Sequence, residues 1–283
     1  MKNEKLAEER EIHMTASCGK IPVMAKTIST VAAGILSACF LARAWSAMAG
    51  GAAFTNVLNA ADGAEKRGDI ARAAAICDAA RRLQTNDAAN LCALSRHYCD
   101  LASLADSKAA RQSLVARALD CAQKAALLVP TNATAHASIA VCYAKSCAFA
   151  GVKTKIEYSR LFKDEADKAI ALDPKQDVAY YLLGRWNYGI ASVGFLSRTY
   201  VKIVYGGLPR ASFQDAAANF KKACELAPKR ILYHAGLAMA YEALGEKKAE
   251  LGELKICRSL KPSDPEDIQA QREAERMALQ RSH

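Results

Sequence analysis

The chain has 283 residues, 52% of them hydrophobic and only 7% aromatic, so its core is large and built mainly from alanine and aliphatic side chains. Glycine and proline are sparse, 15 and 7, and no long β-branched alternating run occurs, which argues against a β architecture and for an all-α protein. The formal charge is +10, yet the 39 basic residues are scattered among 29 acidic ones with no Lys/Arg run longer than two, so a nucleic-acid partner is not expected.

Residues 1–23 are polar and mixed in charge. Thr27 to Ala42 is then uncharged, preceded by Lys20 and Lys26. At sixteen residues it is short for a membrane span, which needs about 20, and it suits the apolar region of an export signal. Ala47-Met48-Ala49 offers one cleavage site, and Leu36-Ser37-Ala38-Cys39 offers a competing lipobox that would leave Cys39 lipidated. An uncleaved anchor or an organelle presequence is the remaining alternative. Residues 1–49 are thus expected to be a leader or anchor and 50–283 a repeat domain, exported or membrane-attached (periplasm or cell envelope in a bacterium), with mitochondrial or cytoplasmic placement as the alternative.

From Ala52 onward a helical period recurs with punctuation. The endings Arg81–Thr85, Leu127–Pro130, Leu172–Pro174, Leu226–Pro228 and Leu260–Pro262 align, and Pro228 to Pro262 is thirty-four residues, the length of one tetratricopeptide repeat. The other spacings, 45, 44 and 54, read as the same unit with insertions. Small residues stand five places before each closing proline, at Ala125, Ala169, Ala223 and Cys257, where they let paired helices approach closely. Ile139-Ala140, Leu183-Gly184 and Leu237-Ala238 fill the matching places on first helices. This predicts a tetratricopeptide-like α-solenoid of antiparallel helix pairs, four repeats plus a start unit, with an inserted helix in the fourth. Ser263-Asp264-Pro265-Glu266 reads as a capping box opening a last polar helix, the usual finish of an open stack.

The insertion is apolar. Val193 to Tyr205 in a helix would place Leu196, Tyr200, Ile203 and Val204 on one face and Arg198 and Lys202 on another. It is expected either to pad the repeat core, or to form a lid over an apolar channel or a membrane-facing patch.

At these residues the chain resembles the regulator of microtubule dynamics protein family. The resemblance rests on Leu182 to Tyr188 (LLGRWNY), Phe195-Leu196 before a basic helix, Tyr205 to Ser212 (YGGLPRAS) and Lys153 to Ile156 (KTKI), and it covers about residues 88–275. Asn187 departs from the cysteine typical of animal members, and the YGGLPxAS version is more like bacterial relatives. The resemblance implies a helical-repeat scaffold, association with microtubules only in a eukaryotic source, and, from one animal member, lipid binding.

No catalytic motif is present. The five histidines lack any HExxH or nucleophile-elbow context, and His136 and His234 recur at the same early place in two repeats, which favours a structural role. Ten cysteines include no CxxC pair; Cys77, Cys121, Cys224 and Cys257 fall on alanine-rich stripes as small hydrophobes. Neither metal, cofactor nor enzymatic activity is therefore expected. Groove-facing places of the first helices select Arg96, Lys145, Tyr181, Arg185 and Tyr188, which would suit an acidic peptide tail or an anionic head group. The expected function is binding of a protein segment in the concave groove, with lipid carriage under the 190–209 insertion as the alternative.

Overall fold

Helices begin where the chain supplies a side-chain oxygen for the first unpaired amides. In the computed structural model, which describes residues 53–83, 86–205 and 207–281, Asp87, Ser107, Asn132 and Ser212 accept from the amides of Asn90, Ala110, Ala135 and Asp215 at 2.9–3.2 Å. The second helices of the pairs end just ahead of Pro130, Pro174 and Pro228, as expected of a residue that cannot donate to the helix ladder. Among the described residues there are twelve helices and no strand. They are α1 (53–66), α2 (Ile70–Leu83), α3 (Ala88–Leu104), α4 (Lys108–Leu128), α5 (Ala133–Ser146), α6 (Val152–Leu172), α7 (Asp177–Ala191), α8 (Phe195–Tyr205), α9 (Phe213–Leu226), α10 (Ile231–Leu244), α11 (Lys247–Ser259) and α12 (Pro265–Arg281).

The pairs α3/α4, α5/α6, α7/α9 and α10/α11 pack closely, each stacking on the next, with α1/α2 in front. This is the predicted solenoid, with α8 as the inserted helix of the fourth unit. The packing lies within one unit, Phe54–His283. The leader and its processing sites fall outside the described residues, among which no helix is long and apolar enough to cross a membrane.

Three apolar clusters succeed one another along the stack. The first joins α1–α5 around Leu91, Leu94, Tyr98 and Leu101; the second joins α5–α7, α9 and α10 around Phe220, Tyr181 and Trp186; the third joins α10–α12 around Ile231, Leu254 and Met277. Ala125, Ala169, Ala223 and Cys257 have no exposed surface, which accounts for small residues at that place. Phe220 is the tightest fit. Its ring lies so close to the backbones of α7 and α10 that a Cβ at Gly184 or Gly236 would stand 2.6 or 2.7 Å from it.

The terminal helix departs from the expectation of a simple end cap. α12 packs on α10 and α11, and it also reaches α3 on the inner side of the stack. Its start is capped one residue later than the sequence pattern suggested. Asp264 accepts from the Asp267 amide at 2.9 Å, Pro265 takes the first helical place, and Asp267 reaches back to the Ser263 amide and hydroxyl. The fully buried Asp267 also accepts from the Leu232 amide at 3.0 Å and lies 3.7 Å from Arg230, which pairs with Asp264. A buried carboxylate is tolerable only with such partners, and here they tie α12 to the start of α10.

Candidate functional site

The inner faces of α5, α7 and α10, the first half of α6, the inserted helix α8 and the crossing helix α12 enclose a cavity of about 960 Å³. Its walls are mainly apolar: Val141, Phe162, Leu182, Trp186, Ile190, Leu232 and Met239 among others. Such a volume is at the upper end of what single small-molecule sites span, roughly 300–1,000 Å³. Each wall follows from the repeat. First helices supply the inner face of the stack, and the insertion and α12 supply the sides that an open groove lacks.

Three of the five groove residues selected from sequence, Lys145, Tyr181 and Arg185, line this cavity. Lys145 donates to Ser103 Oγ at 2.8 Å and to Glu266 Oε1 at 2.6 Å, which fastens the start of α12 across the inner face. Burial alone would lower its pKa, but the facing Glu266 carboxylate outweighs that and raises it. Arg185 donates to the Tyr181 hydroxyl at 3.0 Å and stands 5.9 Å over that ring. Among the described residues no carboxylate forms an ion pair with it, Glu266 acting only from further off, so one face of an apolar cavity carries a guanidinium without a direct anionic partner.

The remaining two are elsewhere. Arg96 is exposed on α3 and does not line the cavity. Tyr188 turns to the second helix of its own repeat and packs on Phe213, ring centroids 5.4 Å apart. Their places in the repeat are those of groove residues, but the cavity is confined to the part of the groove that α8 and α12 cover.

Of the apolar face expected on the inserted helix, Ile203 and Val204 are turned outward. Val201 is 8% exposed and, with Ser197 one turn earlier, lines the cavity, whereas Ile203 is 79% exposed and Val204 48%. Ile203 is therefore not a lining residue. Arg198 donates to the Ile190 carbonyl at 2.8 Å, tying the helix to the end of α7; Lys202 is exposed. The side chains of Leu196 and Tyr200 lie outside the described residues.

Sequence reasoning missed three cavity features: Trp186, whose indole N–H donates to Ser159, the pair Glu266 and Glu273 contributed by α12, and Arg230. The signal available was the alternation of apolar Ala270, Ala274 and Met277 with Glu266, Gln269 and Glu273 on the last helix, which marks a helix with two occupied faces.

The histidines are structural in geometry. His136 places Nδ1 2.5 Å from Glu165 and Nε2 2.9 Å from the Pro130 carbonyl, and His234 repeats this with Glu253 at 2.6 Å and Pro228 at 3.0 Å. With an acceptor at each nitrogen, both ring N–H bonds are used when the imidazole is charged, and the proline that closes one repeat is tied to both helices of the next. Cys224 joins His234 and Glu253 in a cluster of metal-ligand type, as Asp62, Glu65 and His97 do. The His136 copy makes the same bonds where Ala126 replaces the cysteine, so these contacts need no ion. Cys77, Cys121, Cys224 and Cys257 are buried free thiols.

The family profile described as Regulator of microtubule dynamics protein 1-3 matches residues 57–282. Regulator of microtubule dynamics protein 3 of Xenopus laevis is 30% identical over 189 residues, 65% of this chain and 40% of that protein. Regulator of microtubule dynamics protein 1 of Mus musculus is 30% identical over 196 residues, 68% of this chain and 63% of that protein. The matched part thus spans about half the length of these curated relatives. A solved tetratricopeptide-repeat protein, TTC0263 of Thermus thermophilus, superposes with a TM-score of 0.57 at 15% identity, covering 80% of this chain and 99% of that one, which bears on the fold alone. The motifs around Gly184 and Gly207, the helix-pair stack and the profile match converge: the chain belongs to the regulator of microtubule dynamics protein family.

Proposed function

We propose that this helical-repeat scaffold encloses an elongated apolar ligand with an anionic head group, the tail among Val141, Phe162, Leu182 and Ile190 and the head on Arg185. The observation that carries this reading is the guanidinium of Arg185, ion-paired with no carboxylate among the described residues, inside an apolar cavity of about 960 Å³. Arg185 is exposed to the cavity and gives one donor to Tyr181, so a bound carboxylate or phosphate can accept paired, charge-assisted hydrogen bonds from its guanidinium. A lipid meets both requirements. A free acidic peptide segment, the occupant expected from an open groove, must compete with α12, which already places Glu266 on Lys145.

The test is native mass spectrometry of residues 50–283 purified from cells, with organic extraction. A stoichiometric anionic lipid, lost in Arg185→Gln, is the expected result. Trp186, the sole tryptophan of that fragment, reports rebinding through its fluorescence. A bare mass together with capture of an acidic peptide that depends on Lys145 and Arg185 would favour the peptide reading instead, with α12 as the displaced element.

A further inference from the structure

We propose that the face formed by the start of α6 and by α8 docks on an anionic phospholipid bilayer, bringing the cavity mouth to the membrane. This rests on the cavity reading for its purpose, since docking would let the ligand pass between bilayer and protein. Charge is the first observation. No acidic residue occurs from Val178 to Gln214, and Glu157 is the single one from Gly151 to Lys163. Lys153, Lys155, Arg160, Lys202 and Arg210 are exposed there, and none is ion-paired among the described residues.

Exposed aliphatic side chains are the second observation. Val152 at 55%, Ile203 at 79% and Val204 at 48% stand beside these cations. Water disfavours that combination, whereas a bilayer interface takes the aliphatic groups into its acyl boundary and the cations against its phosphates. A nucleic-acid backbone would satisfy the cations but leave the aliphatic groups unused. The third observation is position. Val152, Lys155 and Arg160 of α6 and Ser197 of α8 line the cavity, so the charged apolar rim and the opening coincide.

The experiment uses residues 50–283, which hold the whole compact unit and its three clusters. Flotation is measured with vesicles of phosphatidylcholine alone and of phosphatidylcholine mixed with phosphatidylglycerol, and binding to a DNA duplex is measured in parallel. Binding to the mixed vesicles only, weakened by salt, is expected. Each of Lys153→Gln and Lys202→Gln should lower it roughly fivefold, and Ile203→Ser should lower it again without affecting DNA. None of these three residues lines the cavity, so the extracted ligand should persist. Flotation unchanged in the variants, absence of flotation in the parent, or duplex binding as tight as vesicle binding with Ile203→Ser silent would each overturn the docking. Ligand retained without flotation defeats the docking alone; flotation with an empty cavity keeps the docking and defeats the cavity reading.

Discussion

Gly184→Ala should destabilise this protein, although the same change in most helices stabilises. In a helix interior alanine is favoured over glycine by about 0.8–1.0 kcal/mol. At Gly184 the new methyl would lie 2.6 Å from Cδ1 of Phe220, about 0.9 Å inside the ~3.5 Å at which carbon atoms begin to attract. The ring has nowhere to go. Phe220 is 1% exposed, Tyr181 lies 5.7 Å away on one side, and the α10 backbone at Gly236 closes the other. Overpacking of this kind costs about 1–3 kcal/mol and here includes separation of α7 from α9, so a net loss of about 1–2 kcal/mol is expected after the propensity gain. Gly189 provides the contrast, since it lies on the same helix and a Cβ there meets nothing within 4 Å. Gly189→Ala should be neutral or gain up to about 1 kcal/mol. Urea denaturation followed by circular dichroism measures both, with the m-value checked for constancy. Phe220→Leu in the Gly184→Ala background should recover part of the loss. The reasoning is refuted if Gly184→Ala is as stable as Gly189→Ala, or if the Phe220→Leu cost is unchanged by the alanine.

Two further expectations concern pH. Burial first, then the carboxylates of Glu266, Glu65 and Asp264, push Asp100 on α3 up to about 7, so the folded state holds its proton more tightly than the unfolded chain does. Stability should fall as pH rises from about 4 to 7, and Asp100→Asn should leave stability at pH 4 unchanged while raising it at pH 8 by about 2 kcal/mol, less than the full shift implies because Asp100 keeps some water. Equal urea midpoints at pH 8 would contradict this. His234 is shifted upward to about 10: burial opposes the charge, but hydrogen bonds that the ring donates toward Cys224, Glu253 and the Pro228 carbonyl outweigh it. A raised folded value means a contribution fully present below about 6.5 and lost as pH climbs through 10, so His234→Gln should cost clearly more at pH 6 than at pH 10.5. A cost independent of pH would show that His234 acts by packing alone.

The sequence by itself determined the elements and their order. Closing prolines, capping side chains such as Asn132 and Ser212, and small residues five places before each proline specify helix ends and close helix pairs through local sterics and hydrogen bonding, which need no knowledge of distant neighbours. It also placed Lys145, Tyr181 and Arg185 on the inner face, because position within a repeat sets direction. What only tertiary structure decided depends on contacts between residues far apart in the chain. Whether α12 would end the stack or cross it turned on Glu266 meeting Lys145, 121 residues apart, and on Asp267 being fixed to the start of α10. Similarly, the rotation of α8, which buries Val201 and exposes Ile203, goes together with a bond from Arg198 to the Ile190 carbonyl on the preceding helix. Amphipathic spacing gives a helix its faces, but several faces of α8 are apolar, so only the neighbouring backbone could select the one that closes the cavity.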